Sequence, residues 1–284
     1  MKRTLLLLTL LAVYGGLPAC AQELTTHHVN DNIYMLEGDG GNIGVSVGDD
    51  GILIIDDKFE SFSDAIRAEV AKLNDGKLEF ILNTHHHGDH TGANEKLGAE
   101  AHIIAHSNVR ERLAEDKDLS DETARDGIPV ITFDESLSLH FNGDELKMVH
   151  LPTGHTDGDS IIMFTKANVV HMGDQFFLGR FPYVDLGSGG DVAGYLKNVK
   201  EMIRVLPSDV KIIPGHGPLG TLEDLKIFAR NIEETTAIIR KHIDEGKSME
   251  DIQKAGLPDK YDDLAWNFIT TDRWIEIVYT SYTR

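Results

Sequence analysis

The sequence predicts the α/β fold class, with two β-sheets packed face to face and helices on the outer surface of each sheet. Three observations lead to this prediction. Short β-type runs occur in two separate blocks, helical periodicity follows each block, and the order β-block, helix, strand, helix occurs twice. The chain has 284 residues and no Ser/Pro-rich linker, so we expect one domain over residues 22–284, after a leader at residues 1–21.

The first half of the predicted domain begins with three short β-type runs that glycine turns separate, at 33–36, 43–47 and 52–55. Ser63 is then expected to cap a helix, because the apolar residues after it recur on one helical face. The elements predicted next are a buried strand at 80–82, a short helix near Asn94, a strand at 102–105 and a helix from about Ser107.

The second half repeats this order without repeating the sequence. A β-rich block spans 137–149, and the runs 161–164 and 169–170 predict a hairpin around 166–168. The remaining predicted elements are a helix between Asp191 and Val205, a strand at 210–213, and helices from Leu222 to the C-terminus with a break at 256–258.

The N-terminal residues have the layout of a secretory signal peptide. Residues 2–3 are basic, residues 5–13 form an apolar run, and small residues follow at 19–21. The apolar run is shorter than the roughly 20 residues that a membrane-spanning helix needs. We therefore expect export to the periplasm without a membrane span.

Two processing sites are compatible with this leader. An A-x-A site predicts cleavage before Gln22, whereas residues 17–20 resemble a bacterial lipobox in which Cys20 becomes the lipidated first residue. We favour ordinary cleavage, because Pro18 is an unusual residue within a lipobox. A lipid anchor at Cys20 is the alternative.

Composition excludes several kinds of chemistry and partner. Cys20 is the only cysteine, so the domain has no disulfide and no thiolate ligand or nucleophile. The net charge is −20, and loss of Lys2 and Arg3 leaves 25 basic against 47 acidic residues, a charge of −22. This charge disfavours nucleic acid and anionic membrane surfaces as partners, but it does not select a function. The partner that we expect, a small-molecule substrate, is predicted from the motifs and not from the charge.

The segment Thr84-His85-His86-His87-Gly88-Asp89-His90 carries the strongest functional signal. Neutral imidazole and carboxylate are the ligands that zinc prefers where no thiolate is available. A loop that leaves a strand can turn His85 and His87 toward one point, and Asp89 and His90 toward a second point nearby. Metal pairs about 3.5–4 Å apart are a common hydrolytic arrangement. The sequence therefore predicts a two-metal site.

Three later motifs place a metal-type side chain where a strand opens into a glycine-bearing loop. Any one of them alone is weak, since a lone histidine after a strand is usually structural. Together with the first cluster they predict one shared site. The motifs are Gly154-His155-Thr156, Gly173-Asp174 and Pro214-Gly215-His216-Gly217.

The series THHHGDH, GHT, HMGD and PGHG resembles the ligand series of the metallo-β-lactamase superfamily, over nearly all of the chain after the leader. The resemblance implies a four-layer αβ/βα sandwich with two zinc ions at one edge. It assigns His85, His87 and His155 to the first zinc ion and Asp89, His90 and His216 to the second. Asp174 is implied as the bridging carboxylate. Asp56 stands where the family has an acid that fixes a ligand, although an ordinary strand-end Asp fits equally well.

The resemblance is mixed within the superfamily. Class B1 and B2 β-lactamases have a cysteine at the position of Asp174, and glyoxalase II-like hydrolases have an aspartate. Residues 184–191 resemble the loop that follows the ligands in B1 enzymes, but the B1 lysine corresponds to Phe177, and Arg180 is the candidate substitute. The framework is B1-like and the ligand set is glyoxalase II-like. Flavin-dependent relatives have a glutamate at the position of His87, so no redox role is expected.

The resemblance implies hydrolysis of a carbonyl compound (an ester, lactone, thioester or amide, with β-lactams among the candidates). Asp89 and Asp174 are the predicted catalytic residues, which orient water and carry its proton. The alternative is a protein that sequesters zinc, or uses it for stability, without turnover. His86 and His171 are assigned structural roles, because strand alternation points their side chains away from the metals. The aromatic residues Trp266, Phe268 and Trp274 are predicted to lie in the core, and a position in the substrate cleft is the alternative for these three.

Overall fold

The computed structural model describes residues 23–115 and 117–284. The predicted leader at residues 1–21, and Cys20 with it, lies outside these residues. Within them, two sheets pack face to face and helices cover both outer surfaces, so the predicted α/β sandwich is confirmed. No helix of the described residues combines the length and the apolar character that crossing a bilayer requires.

The first sheet has seven strands that lie in chain order. Its first four strands pair antiparallel, as short glycine turns allow, and the later pairs are parallel because a crossover precedes each new strand. The strands are β1 (Thr25–Asn30), β2 (Ile33–Glu37), β3 (Ile43–Gly48), β4 (Gly51–Ile55), β5 (Leu78–Leu82), β6 (His102–His106) and β7 (Ile131–Phe133).

The second sheet has six strands in the order β13-β12-β11-β10-β9-β8. The hairpin predicted around 166–168 joins β10 to β11, and β11 then pairs parallel to β12. The strands are β8 (Ser136–Phe141), β9 (Asp144–His150), β10 (Ser160–Phe164), β11 (Val169–His171), β12 (Lys211–Ile213) and β13 (Gly220–Thr221).

Three apolar clusters produce the four layers. One lies between the sheets, one beneath the first sheet against its helices, and the largest beneath the second sheet against the C-terminal helices. The helices are α1 (Ser63–Leu73), α2 (Gly88–Thr91), α3 (Asn94–Leu97), α4 (Ser107–Ala114), α5 (Glu122–Asp126), α6 (Val192–Val205), α7 (Leu222–Asp244), α8 (Met249–Ala255) and α9 (Thr271–Thr283).

Two local predictions are wrong. Ser63 does not cap α1: the cap position is Phe62, without a side-chain hydrogen bond, and the Ser63 hydroxyl donates to the carbonyl of Glu60 in the preceding 3₁₀ turn. Trp266 and Phe268 lie in an irregular segment, not in a helix, because Thr270 caps α9 and the segment precedes it. This segment runs along the edge where the strands open toward the motifs.

Asn42 joins the two halves of the domain at this edge. Its side-chain amide donates to the carbonyls of Pro214 and Gly217, at 3.0 and 2.7 Å, and its backbone N–H donates to the carbonyl of Gly215 at 2.7 Å. These bonds fix the loop after β2 against the loop after β12. The loops that carry the sequence motifs are thereby held together.

Candidate metal centre

The predicted donor residues come together at one edge of the sandwich. His85 and His87 follow β5, and Asp89 and His90 lie in the short helix α2 directly after them. The remaining three come from loops of the second half: His155 between β9 and β10, Asp174 in a 3₁₀ turn after β11, and His216 after β12. Parallel strands bring their carboxyl ends to the same edge, which is why donors distant in sequence meet here.

The first donor group comprises His85, His87, His155 and Asp174, whose donor atoms lie within 4.8 Å of one another. Nδ1 of His87 is 2.9 Å from Nε2 of His155. Oδ2 of Asp174 is 3.4 Å from Nε2 of His155 and 3.8 Å from Nε2 of His85. All except His87 are almost completely buried.

The second donor group comprises Asp89, His90 and His216. Oδ2 of Asp89 is 3.3 Å from Nε2 of His216 and 3.6 Å from Nε2 of His90. Oδ1 of Asp174 completes the group, at 3.1 Å from Nε2 of His90 and 3.3 Å from Nε2 of His216. Asp174 therefore turns one oxygen toward each group, which is the position of a bridging carboxylate.

The donor atoms fit metal ions better than they fit one another. Nε2 of His85 and Oδ1 of Asp174 are buried without a hydrogen-bond partner, although a buried polar atom without a partner destabilises a fold. Nε2 of His90 and Nε2 of His216 face each other at 3.4 Å. Two imidazole nitrogens can share such a position when a cation lies between their lone pairs. The set contains nitrogen and oxygen donors only, the types that suit divalent zinc, manganese or iron.

Three histidines of the centre, His87, His90 and His155, are hydrogen-bonded on the ring nitrogen that faces away from the other donors. Asp56 contacts Nδ1 of His90 at 2.8 Å and also accepts from the backbone and the hydroxyl of Thr84, both at 2.8 Å. Asp185 contacts Nε2 of His87 at 3.0 Å, and the carbonyl of Tyr183 contacts Nδ1 of His155 at 2.7 Å. Such partners select the tautomer that presents the other nitrogen to the metal. Asp56 thus has the ligand-fixing position that the resemblance implies.

Burial and charge divide the histidines into two kinds. Burial lowers the pKa of His155 to about 3 and holds the pKa of His85 well below its ordinary value, so both are neutral ligands at neutral pH. Burial also opposes the charged form of His90, but the carboxylates of Asp174, Asp89 and Asp56 raise its pKa well above the ordinary value. In the metal-free protein the second donor group therefore carries a proton that a metal ion must displace.

The two carboxylates of the centre remain ionised. Burial alone raises the pKa of Asp89, but His90 and His216 more than offset this effect and lower the pKa to about 2. The pKa of Asp174 is likewise lowered, because His216, His90 and His155 outweigh its burial. Both are therefore anionic donors across the physiological pH range.

The other residues singled out in the sequence have distinct places. His171 is buried and contacts backbone atoms of Asn42 and Gly173, as a structural histidine. His86 is grouped with His87 and Asp185, and its buried Nδ1 has no partner. Phe177, at the position of the B1 lysine, stacks on the ring of His216 with centroids 5.0 Å apart.

A cavity of about 780 Å³ opens above the donors. His87, Asp89, Asp174 and His216 form part of its surface, so both donor groups are reached from the same opening. Trp266 and Phe268 also line it, whereas Trp274 is fully buried and donates to the hydroxyl of Thr235. The core interpretation is therefore right for Trp274 and wrong for Trp266 and Phe268, which lie at the surface of the cavity.

Sequence reasoning missed three contributors. Asp185 lies in the loop 184–191, which resembles that of B1 enzymes, but no sequence pattern connects it with His87, from which it is 98 positions distant. Lys58 is fully buried behind the site, and Phe59 lines the cavity. The run Asp56-Asp57-Lys58-Phe59 directly after β4 was an available signal, because three charged residues after a buried strand indicate a functional turn.

The fold and the site together define a metal-binding member of the αβ/βα sandwich class. The family model described as "Metallo-beta-lactamase superfamily" matches residues 31–216, which is 186 of the 284 residues and includes all seven donors. The chain therefore belongs to the metallo-β-lactamase superfamily.

Similar proteins have different names within this superfamily. A hydroxyacylglutathione hydrolase of Pelagibacter ubique is 31% identical over 144 residues, 49% of this chain and 52% of the relative. The chain spans about half the length of the first curated relatives it matches.

Two solved structures show the same fold. A metallo-β-lactamase of Pontibacter korlensis has a TM-score of 0.63 at 15% identity and covers 74% of this chain and 99% of its own. A double mutant of the sec-alkyl sulfatase PisA1 has a TM-score of 0.72 at 14% identity and covers 92% of this chain and 50% of its own.

Proposed function

We propose that the chain is an exported, zinc-dependent hydrolase with two metal ions, which cleaves an acyl compound: an ester, a lactone, a thioester or an amide. One observation carries the proposal. The two donor groups share Asp174 and face one cavity, so a substrate carbonyl can reach both groups at once. The names of the relatives, hydroxyacylglutathione hydrolase and metallo-β-lactamase, support a hydrolase.

The chemistry follows from the donor set. Two divalent ions in such a site activate water and polarise a carbonyl. Asp89 is about a quarter exposed and lines the cavity, so it orients the attacking water and accepts its proton. Asp174 is almost completely buried and holds the two donor groups at a fixed separation. No serine or cysteine nucleophile is required.

The charges around the cavity favour some substrates over others. Arg180 is the one arginine or lysine among the described cavity-lining residues, and Glu37 and Asp39 lie on the same surface. The guanidinium stacks over Trp266 at 5.0 Å, and no carboxylate of the described residues lies within ion-pair distance of it. Arg180 is thus the residue available to a substrate carboxylate, including that of a β-lactam. The cavity surface thus combines a single arginine with several acidic side chains. This charge distribution supports a small acyl substrate more than a glutathione conjugate.

The test combines metal analysis with a substrate panel. The domain from residue 22 is purified, its bound metal is counted, and it is assayed on β-lactams, lactones, thioesters, esters and phosphoesters. Two zinc ions per chain and one favoured acyl class are expected. A protein that binds no metal, or is inert on every member of the panel after zinc reconstitution, contradicts the proposal.

Zinc sequestration without turnover is the second candidate, because the donor set alone would also serve storage. His87→Ala and Asp89→Ala separate the two functions, with His140→Ala as the control, because His140 is exposed on β8 and belongs to neither donor group. For an enzyme, the first two variants lose at least about a hundredfold in kcat/KM while remaining folded. Tight metal binding by wild-type protein without activity on any substrate supports sequestration.

Export is tested separately from catalysis. We propose that the full chain is processed before Gln22, and intact-mass analysis of protein recovered from the periplasm measures this directly. A mature chain that starts at a lipidated Cys20 supports the lipobox alternative. Unprocessed chain retained in the cytoplasm contradicts export and leaves the hydrolase proposal untouched.

A further inference from the structure

Two large aromatic side chains remain exposed at the mouth of the cavity. Phe59 is 43% exposed and Phe268 is 58% exposed, and both line the cavity that contains the metal donors. Exposed apolar groups that converge on one concavity mark a binding surface more often than scattered single residues do. Their positions relative to the two donor groups indicate what they bind.

Phe59 lies on the side of the second donor group. Gly40 separates its ring from Asp89: a side chain at position 40 would come within 2.9 Å of Cε2 of Phe59 and 3.2 Å of Cβ of Asp89. Gly40 also has φ of 81°, which a residue with a side chain rarely adopts. The glycine therefore keeps the Phe59 ring close to Asp89.

Phe268 lies on the side of the first donor group. Its ring centroid is 5.3 Å from that of Tyr183, and Tyr183 in turn is 5.7 Å from the rings of both His87 and His155. Phe268 is also 5.6 Å from Trp266. A continuous row of aromatic rings thus leads from the metal ligands to the solvent.

We propose that Phe59 and Phe268 form two subsites for apolar groups of the acyl substrate, one on each side of the scissile carbonyl. The proposal rests on the proposed hydrolase function and specifies its substrate class: compounds with an aryl or medium-chain alkyl group, in preference to acetyl compounds. Burial of apolar area against these rings stabilises the bound substrate, whereas an acetyl group is too short to reach them.

A chain-length series tests the preference. Acetyl, butyryl, hexanoyl and octanoyl compounds with one leaving group, chosen from the acyl class that the panel identifies, are compared by kcat/KM. The expected value rises at least about tenfold from acetyl to octanoyl, since each methylene in an apolar pocket contributes several-fold. Phe268→Ala, on the acyl side, should reduce the octanoyl value by roughly tenfold and leave the acetyl value within about twofold, whereas Phe59→Ala, on the side of the constant leaving group, should lower every member of the series by a similar factor.

The matched control is Ile227→Ala, which removes an apolar side chain of similar exposure, 44%, outside the residues that line the cavity. It should leave the whole series unchanged. A series that is flat in wild-type enzyme overturns the subsite proposal while the hydrolase proposal stands. Absence of turnover on every compound by zinc-loaded protein overturns the hydrolase proposal itself.

A binding measurement is independent of turnover. Trp266 contacts Phe268, and the second tryptophan, Trp274, is fully buried, so tryptophan fluorescence reports on the cavity. Octanoate added to the metal-free protein should change the fluorescence, acetate should not, and Phe268→Ala should weaken octanoate binding several-fold. Equal responses to both acids, or unchanged octanoate binding by the variant, contradict the subsite at Phe268.

A second inference comes from Lys58, whose side chain is fully buried although it ends in a charge. No carboxylate of the described residues lies within ion-pair distance of its ammonium group. Nζ instead donates to the backbone carbonyls of Gly38 and Asp39, at 3.3 and 3.4 Å, and to that of Gly41. Lys58 has φ of 60°, an uncommon value for lysine that only a surrounding structure sustains.

Lys58 holds the loop of residues 38–41. This loop lines the cavity and also contacts residues that carry metal donors. Gly38, Asp39 and Gly40 line the cavity. The N–H of Gly41 donates to the carbonyl of Asp89 at 3.1 Å, and a side chain at position 41 would overlap the ring of His90. A displaced loop therefore changes the cavity wall beside Asp89 without removing a metal donor.

We infer that Lys58 is a positioning residue that fixes the 38–41 loop as the wall of the substrate cavity. Lys58→Met keeps the length and the apolar stem of the side chain and removes the charge that binds the three carbonyls. We expect KM to rise about tenfold with kcat within about threefold, because the cavity wall and not the metal donors is disturbed. Lys72→Met, at an exposed site, is the control and should change neither constant.

Hydrogen exchange supplies a readout that does not need turnover. In the wild-type protein, the amides of Gly41 and Asn42 should be protected like those of β3, and in Lys58→Met they should exchange at least tenfold faster while β3 stays protected. If Lys58→Met fails to fold, the wild-type measurement still decides: unprotected amides at 41–42 contradict a fixed loop. A kcat that falls with KM unchanged also overturns the inference.

Discussion

Oδ2 of Asp56 lies 2.8 Å from Nδ1 of His90, and both side chains are fully buried. Asp56 has φ of 62°, a conformation that aspartate and asparagine adopt more readily than other residues with a side chain. This backbone geometry ends β4 and turns the carboxylate toward the loop after β5. The contact therefore connects an uncommon backbone conformation to the orientation of a metal donor.

Asp56→Asn tests the charge of this contact, because asparagine keeps the shape and tolerates the same φ. The amide can still accept from Thr84, but its N–H group cannot accept from Nδ1 of His90, so the imidazole loses its fixed tautomer. We expect the zinc affinity of the second donor group to fall 10–100-fold, measured by competition with a chromophoric chelator. Asp209→Asn, at an exposed site, is the control, and wild-type affinity in Asp56→Asn would contradict this role.

Asp185→Asn makes the corresponding test for the first donor group. The hydrogen bond with His87 is the largest cause of the low pKa of Asp185, and the charge interaction with His87 contributes less, so the contact is electrostatic as well as geometric. We expect zinc to titrate in two steps. Asp185→Asn should lower the zinc affinity of one step 10–100-fold, and Asp56→Asn should lower that of the other step. The same step weakened in both variants would show that the two groups do not bind independently.

Zinc should stabilise the fold as well as complete the site, because the donors come from both halves of the domain. Free zinc at 100 times its dissociation constant adds about 2.7 kcal/mol to the free energy of unfolding when only the folded state binds it. Thermal unfolding with and without a chelator measures the difference. His216→Ala should reduce the zinc-dependent increase, and His140→Ala should not; an increase that persists in full in His216→Ala contradicts binding at this centre.

Asp159 predicts a pH dependence of stability. Burial raises its pKa to about 7, despite hydrogen bonds from Thr156 and Gln175. Its folded-state pKa thus exceeds the unfolded value of about 3.9, so the folded state binds more protons between about pH 4 and 7 and the unfolding free energy falls as pH rises through this window. Three pKa units correspond to about 4 kcal/mol at most.

Asp159→Asn should remove this dependence. Urea unfolding of metal-free wild-type and variant protein at pH 5 and pH 8 isolates the contribution of Asp159, because the other titrating groups are common to both proteins. We expect wild-type protein to lose more stability than the variant between the two pH values. Parallel pH profiles would show that Asp159 ionises normally in the folded protein.

The donor set and the two-sheet architecture could be predicted from sequence because each rests on local patterns. The strand before His85 and the hairpin after β10 have apolar runs and turn residues that specify them with little tertiary help. His155, Asp174 and His216 each follow a short apolar run in a glycine-bearing loop, so their shared edge follows from parallel strand packing.

The residues that hold the donors could not be predicted in this way. Asp185 meets His87 only because the chain returns after 98 positions, and Lys58 faces three carbonyls that no sequence pattern encodes. Ser63 failed as a cap because a 3₁₀ turn precedes α1 and takes its hydroxyl, a tertiary arrangement that local cap preference does not include. In the sequence, Trp266 and Phe268 look like core residues, because the wall of an aromatic cavity and a hydrophobic core contain the same residue types.

The C-terminal segment that carries Trp266 and Phe268 lies beyond residues 31–216, the part that matches the family model and contains every metal donor. Part of the cavity wall is therefore encoded in a stretch of the polypeptide that contains no metal donor. An exchange of residues 266–268 for another sequence of equal length alters the wall of the cavity without replacing a donor. Such a division gives protein engineers a short cassette for reshaping the binding surface, and gives evolution a route by which the surroundings of one metal centre change while its donors are inherited unchanged.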